Sequence, residues 1–135
     1  MRFVDTNILL YAISKDPAEA EKAAAAVDLL ESDDLATSVQ VPQEFYVQAT
    51  RPGRRGRLTH SQGRDFLNAM KRLPIQVNSV PVMDAALESA HRWRISYWDA
   101  AVVEAARAIG CNILLTEDLN REQDFHGLKV FNPFR

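Results

Sequence analysis

The sequence has little of what several common protein classes depend on. Its 135 residues include a single cysteine, Cys111, so an internal disulfide and a cysteine-cluster metal site are excluded. Because disulfides are rare in reducing compartments, we expect a cytoplasmic protein. No apolar run approaches the roughly 20 residues that cross a bilayer. Asp5 and Asn7 interrupt the start of the chain, where a signal peptide would be apolar, so we expect neither secretion nor membrane insertion.

An excess of positive charge is also missing. The formal net charge is −2 at pH 7, so any surface that binds nucleic acid must be local. The candidate is the stretch 51–57, predicted to be a loop because one proline and two glycines interrupt it. It contains four arginines, which are Arg51, Arg54, Arg55 and Arg57. They either bind RNA phosphates, receive an acidic segment of an inhibitor, or only keep the loop solvated.

What the sequence does contain is typical of one globular domain spanning residues 1–135. Hydrophobic residues make up 47% and charged residues 25%, which allows a real core and argues against disorder. Strand-like and helix-like segments alternate along the chain. Strands are predicted at 2–4, 35–39, 75–77, 113–115 and 128–131, and helices at 8–13, 17–31, from Pro42, 61–73, 81–93 and 99–109. This alternation predicts an α/β fold, a three-layer α/β/α sandwich around a mainly parallel sheet.

The most informative stretch runs from residue 96 to residue 118. Its first half is predicted to be a buried helix, with Glu104 and Arg107 forming a narrow solvated stripe and Gly110 ending it. The apolar run 113–115 is then typical of a central parallel strand covered on both faces. Acidic residues therefore open this helix, at Asp99, and follow this strand, at Asp118.

Four acids map to one edge of the predicted sheet. Asp5 ends the first strand, Glu44 follows the second, Asp99 opens the late helix and Asp118 follows the strand at 113–115. Each alone also suits a helix cap, a helix first turn or a loop. Four carboxylates in one pocket would repel one another unless a cation bound there, and oxygen ligands favour Mg²⁺ or Mn²⁺. None of the three histidines is placed near these acids, so a zinc site is not expected.

Aromatic residues cluster at the start of the late helix. Trp93, Tyr97 and Trp98 stand near the junction of two predicted helices. Such aromatics can stack an RNA base, although core or interface packing is the more usual role. The sequence favours the packing interpretation.

Taken in order, the acidic motifs resemble those of a known family. They are Asp5-Thr6-Asn7 after the first strand, Ser38 with Glu44, Tyr97-Trp98-Asp99-Ala100 on the late helix, and Leu115-Thr116-Glu117-Asp118. The ordered set is similar to the PIN domain, and most similar to the VapC-type toxin nucleases of prokaryotic toxin–antitoxin pairs. The resemblance covers nearly the whole chain and includes all four acids.

The resemblance implies a metal-dependent endoribonuclease. Its catalytic residues and ligands of Mg²⁺, for which Mn²⁺ can substitute, would be Asp5, Glu44, Asp99 and Asp118. Small polar side chains would support them at Thr6, Asn7, Ser38 and Thr116. The resemblance also implies RNA as substrate, an antitoxin protein that blocks the site, and a homodimer formed through apolar surface of the early helices.

Two other functions stay open at this stage. An aspartate at the end of the first strand also suits phosphatases that form an aspartyl-phosphate, although their second acid usually stands two residues later, where this chain has Asn7. The other is a non-catalytic metal-binding or RNA-binding module of PIN-like fold, in which the acids only hold an ion or cap helices.

Overall fold

Strands and helices alternate along the chain in the computed structural model, which describes residues 1–120 and 123–135. The strands are β1 (Arg2–Val4), β2 (Leu35–Ser38), β3 (Ile75–Gln76), β4 (Ile113–Leu115), β5 (Asp124–Phe125) and β6 (Leu128–Phe131). The helices are α1 (Thr6–Ala12), α2 (Ala20–Leu30), α3 (Gln40–Ala49), α4 (His60–Met70), α5 (Val80–Trp93) and α6 (Tyr97–Ala108), with a 3₁₀ turn at Pro17–Glu19. The predicted order of elements is confirmed.

The sheet has its first strand near the middle. The strand order is β3-β2-β1-β4-β6-β5, and all neighbours are parallel except the antiparallel pair β5–β6. The chain therefore moves outward from β1 through β2 and β3, and then returns to the other side of β1 as β4. In open α/β sheets, ligands bind in the crevice beyond the carboxyl ends of the strands, at the point where the strand order reverses, and here that point lies between β1 and β4.

Helices cover both faces of this sheet, as the sequence predicted. The α5–α6 pair packs through α6 on β2, β3 and β6, while α1 packs on α2 and α3, and α3 on α4 and β2. Phe3, Val4, Leu114 and Leu115 of the two central strands are buried, because strands covered on both faces have no solvated side. No helix in the described part of the chain has the length and apolarity needed to span a membrane.

Two local features differ from the sequence prediction. Helix α3 begins at Gln40, two residues before Pro42. Proline is tolerated in the first turn because the N–H group that it lacks would have no partner within the helix. The second feature is the unpredicted strand β5, which turns into β6 through His126 (φ 54°) and Gly127 (φ 93°). Consecutive residues of positive φ favour a tight hairpin, and a strand of two residues has too little pattern to predict.

The predicted solvated stripe on α6 is wrong for Glu104. This side chain is only 6% exposed and accepts hydrogen bonds from the Ser89 hydroxyl (2.6 Å) and the Arg107 guanidinium (2.8 Å). Helix α5 covers it, which the spacing of charges on α6 alone does not indicate. Glu104 therefore joins α5 to α6.

Helix α4 begins with a capping box that can be tested. The Thr59 hydroxyl accepts from the Gln62 N–H (3.1 Å), and the Gln62 side chain accepts from the Thr59 N–H (2.9 Å). We expect Thr59→Ala to lower the free energy of unfolding by about 1 kcal/mol, measured by urea denaturation. Thr59→Ser keeps the oxygen and should unfold like the parent. Equal destabilisation by both substitutions would contradict the cap.

Candidate active site

The site begins where β1 and β4 end side by side. Val4 pairs with Leu115, and the Asp5 N–H continues the ladder to the Leu115 carbonyl (3.1 Å). Asp5 is the N-cap of α1: one carboxylate oxygen accepts from the Thr6 N–H (2.7 Å) and the other from the Thr116 hydroxyl (2.9 Å). The strand register therefore fixes a buried carboxylate between the two strand ends.

The Thr116 hydroxyl links Asp5 to the loop after β4. It accepts from the Asn7 amide (3.0 Å) and from the Asp118 N–H (3.1 Å). The Asn7 amide also donates to the Asp118 carboxylate (2.9 Å). Two neutral side chains, Asn7 and Thr116, thus connect the acid that follows β1 with the acid that follows β4.

Glu44 is held from two directions on α3. Its carboxylate accepts from the Thr6 hydroxyl (2.9 Å) and from the Gln40 amide (2.8 Å). Gln40 also donates to the Trp98 carbonyl (3.4 Å), at the start of α6 and next to Asp99. The sequence analysis missed Gln40, although a glutamine four residues before a glutamate on a helix was a signal that could have found it.

These side chains surround an open cleft of about 530 Å³. Glu44 and Asp118 line it, together with the polar side chains that hold them. Asp5 is buried behind Thr6, and Asp99 follows Trp98, whose side chain also lines the cleft. The structure therefore brings all four predicted acids to one edge of the sheet.

The charge state of Asp5 reflects this crowding. Burial raises its pKa to about 7, although the hydrogen bonds from Thr6 and Thr116 oppose the rise. The negative charges of Asp118 and Glu44 raise it further. Asp5 is therefore a carboxyl whose ionisation in the isolated protein costs free energy.

Asp99 experiences the same neighbours. Burial raises the pKa of this carboxyl, a side-chain hydrogen bond with Ser96 lowers it, and the charges of Asp118 and Glu44 raise it. The same two carboxylates thus act on both Asp5 and Asp99. The four acids share one electrostatic environment.

A divalent cation fits this environment by charge and by ligand type. None of the ion pairs found in residues 1–120 and 123–135 involves any of the four acids, and all their side-chain donors are neutral. Two further oxygens, Asn7 Oδ1 and Ser38 Oγ, are buried without a hydrogen-bond partner in the described residues. As oriented, no three Asp, Glu, His or Cys side chains of those residues are close enough to hold a metal ion.

Comparison with known proteins identifies the family of this fold. The family model of the PIN domain matches residues 2–123. The chain belongs to the PIN domain family. Among curated protein sequences, none is significantly similar to it.

Solved structures with the same fold include several toxins. A toxin–antitoxin complex from Klebsiella pneumoniae shares 20% identity, with 98% of each chain covered and a TM-score of 0.71. The sarcin-ricin loop cleaving toxin VapC20 from Mycobacterium tuberculosis shares 20% identity, with 84% of this chain and 87% of that chain covered and a TM-score of 0.66. VapBC2 from Rickettsia felis, bound to a promoter DNA fragment, shares 19% identity over 97% of each chain with a TM-score of 0.63. At these identities the likeness shows the shared fold.

Three of the four loop arginines in this PIN domain lie apart from the acids. Arg51 is exposed, Arg55 is 3.9 Å from the Asp16 carboxylate, and Arg57 donates to the Thr50 carbonyl (2.9 Å). The loop is therefore not one basic surface facing the cleft.

Arg54 differs from the other three. It is half-buried and lines a second cavity, of about 230 Å³, together with Asn7 and Glu117. Glu117 itself accepts hydrogen bonds from the Tyr11 hydroxyl and from the Lys22 ammonium (3.2 Å), so it is tied to α1 and α2. Because Asn7 lines both cavities, Arg54 is the loop arginine that stands beside the acidic cleft.

The raised pKa of Asp5 predicts how the stability of the metal-free PIN domain depends on pH. Its value of about 7 exceeds the ordinary 3.8, so between these values the native state holds a proton that the unfolded chain has released. The free energy of unfolding should therefore fall as the pH rises from about 4 to about 7, and then level off. Asp5→Asn should remove the part of this fall that Asp5 causes, leaving the part caused by the raised pKa of Asp99, and should stabilise the protein at pH 8 by up to about 4 kcal/mol, measured by urea denaturation in EDTA.

A matched control for this experiment lies on α5. Asp84 is exposed and outside the cleft, so Asp84→Asn should follow the parent at every pH. If the free energy of unfolding of Asp5→Asn has the same pH dependence as that of the parent, ionisation of Asp5 does not cause that dependence.

Proposed function

We propose that this PIN domain is a metal-dependent endoribonuclease that hydrolyses RNA phosphodiester bonds, acting as the toxin of a type II toxin–antitoxin system. One observation carries the proposal: four carboxylates without a cationic partner among the described residues lie together at the carboxyl edge of the sheet, and two of them, Glu44 and Asp118, line an open cleft there. The family match supports a nuclease, and one structural neighbour is a toxin that cleaves the sarcin-ricin loop.

In this proposal Asp5, Asp99 and Asp118 would hold Mg²⁺, or Mn²⁺ in its place, and Glu44 would complete the ligand set or orient the attacking water. When bound, such an ion would make a water more acidic and would neutralise charge on the scissile phosphate. The chain supplies negative charge that its neutral hydrogen-bond donors do not cancel. Because Asp5 is buried, its ligand oxygen is held by strand ends and not by a mobile loop.

Neutral side chains around the acids act as positioning residues. Thr116 and Asn7 orient Asp5 and Asp118, and Thr6 orients Glu44. Ser38 ends β2 with a buried hydroxyl oxygen that the described residues leave without a partner, and we assign it a supporting role. These neutral side chains add no positive charge near the carboxylates, so the site keeps its affinity for a cation.

The phosphatase alternative is less well supported. The residue two positions after Asp5 is Asn7, and its amide donates to Asp118 and Thr116. That position therefore serves to orient an acid and does not provide a second acid for phosphoryl transfer. A phosphatase would release phosphate from small esters, which a nuclease acting on RNA would not.

We also propose an antitoxin partner and a homodimer. One structural neighbour is a toxin–antitoxin complex, and another, VapBC2, is bound to promoter DNA. These neighbours support a protein inhibitor for this chain. Of the early-helix residues predicted to form the dimer surface, Ile8 and Leu9 are buried in the core, whereas Val27 of α2 is exposed. Large exposed apolar residues also occur on α5, at Val80, Met83 and Leu87, and we propose this helix as a further candidate surface.

Cleavage by an acid variant tests the proposed chemistry. Asp99→Asn keeps the shape of the side chain and removes one ligand charge, so RNA cleavage in Mg²⁺ should fall on the order of 100-fold or more. EDTA should stop cleavage by the parent, and Mn²⁺ should restore it. Cleavage is followed on a labelled RNA by gel electrophoresis, with Asp84→Asn as the control. An Asp99→Asn protein that cuts as fast as the parent would end the proposal.

Salt dependence distinguishes Arg54 from the rest of its loop. If Arg54 contacts a phosphate, Arg54→Ala should reduce the slope of log Kd against log salt for single-stranded RNA by about 0.7. Arg51→Ala, which removes an exposed guanidinium of the same loop, should leave the slope unchanged. Binding is measured by fluorescence anisotropy between 50 and 300 mM salt, and equal slopes for both variants would contradict a special role for Arg54.

A further inference from the structure

We propose that Trp98 is a stacking platform for one unpaired RNA base beside the acidic cleft. This inference rests on the proposed ribonuclease function and adds a binding subsite to it. Its starting point is the exposure of the indole: Trp98 is 65% exposed, whereas Trp93 packs against Phe125 and His126 at centroid distances of 5.3 and 5.4 Å. The sequence-based expectation is core or interface packing, and Trp93 is packed whereas Trp98 does not belong to the core.

The indole stands between two clefts. It lines the acidic cleft of about 530 Å³ and an adjoining cleft of about 390 Å³, and Gln40 and Gln43 line both as well. Trp98 also directly precedes Asp99 in α6. A base on this side chain would therefore belong to a nucleotide close to the bond that the acids act on.

The indole keeps an open face beside its one aromatic neighbour, since 65% of the residue is exposed. The Tyr97 ring meets it nearly perpendicularly, at 80° with a centroid distance of 5.0 Å. A perpendicular contact does not form a parallel stack on the ring, so the flat face is left for a base. The backbone of Trp98 is tied to α3, because its carbonyl accepts from Gln40 (3.4 Å).

The charges around the indole favour a base over a phosphate. Among residues 1–120 and 123–135, no charged side chain lines the adjoining cleft, and those that line the acidic cleft are the carboxylates Glu44 and Asp118. Phosphates would be repelled from that side, whereas a base is uncharged and has a flat apolar face. The amide of Gln43, which is exposed, offers both a donor and an acceptor to the edge of a base.

Intrinsic fluorescence tests the subsite directly, because the chain has only two tryptophans. Trp93→Phe leaves Trp98 as the reporter, and Trp98→Phe leaves Trp93. The probe is a hexameric RNA in Ca²⁺ in place of Mg²⁺, with gel analysis to verify that it stays intact. We expect quenching in the parent and in Trp93→Phe, and none in Trp98→Phe. If Trp93→Phe is unstable, the parent and Trp98→Phe suffice for the comparison.

An abasic hexamer is the matched ligand control. It has the same phosphates without bases, so it should not quench Trp98. Equal quenching by the abasic and the complete hexamer would overturn the inference, since the indole would then report only backbone binding.

Cleavage kinetics provide the second test. Trp98→Leu should weaken RNA binding by about 5- to 150-fold, the range measured for loss of one stacked base, and should act mainly on KM. Trp98→Phe should recover most of the loss, because it restores a flat ring. Val77→Ala, which shortens an exposed apolar side chain that lines neither cleft, should leave KM unchanged.

The remaining outcomes separate this inference from its rivals. A changed oligomeric state of Trp98→Leu in sedimentation velocity would make Trp98 a protein-interface residue and overturn the base subsite. If the parent cleaves RNA but Trp98→Leu has the same KM, the inference fails and the ribonuclease proposal stands. If the parent cleaves no RNA while the hexamer still quenches Trp98, the ribonuclease proposal fails and the base subsite stands.

Discussion

The repulsion among four carboxylates is the constraint that the rest of this structure serves. Asp5 is the most affected, since it is buried and its pKa is raised to about 7. Neutral donors from Thr6, Asn7, Thr116 and Gln40 hold the acids in place without offsetting their charge. An isolated protein with this arrangement gives up stability in order to keep negative charge available at one edge of its sheet.

The topology of the sheet makes such a concentration of charge possible. Because β1 lies between β2 and β4, its carboxyl end is the point where the chain changes direction within the sheet. Asp5 and Thr116 follow the two strands that flank this point, and α3 and α6 bring Glu44 and Asp99 to the same edge. The fold thus gathers acids that are far apart in sequence, and the covered strands behind them supply a rigid base.

The polar features around the acids also divide by role. Among the four loop arginines, Arg54 lines the cavity that shares Asn7 with the acidic cleft, so it can bring positive charge to that side of the site. On another side Trp98 and the glutamines of α3 provide an uncharged surface. A single-stranded RNA has both phosphates and bases to place, and these two sides match the two kinds of group.

The sequence by itself determined the order of elements, the parallel sheet and the position of each acid at a strand or helix end, because these depend on local periodicity and on turn residues. It did not reveal the burial of Glu104, the exposure of Trp98, the separation of Arg54 from its neighbours or the bridge made by Gln40. Those features depend on which element packs over a side chain, and that is decided between segments distant in sequence. Tertiary structure alone determined which polar groups meet. The hydrogen bond from Thr6 to Glu44, for example, joins α1 to α3, and no local sequence pattern connects these two helices.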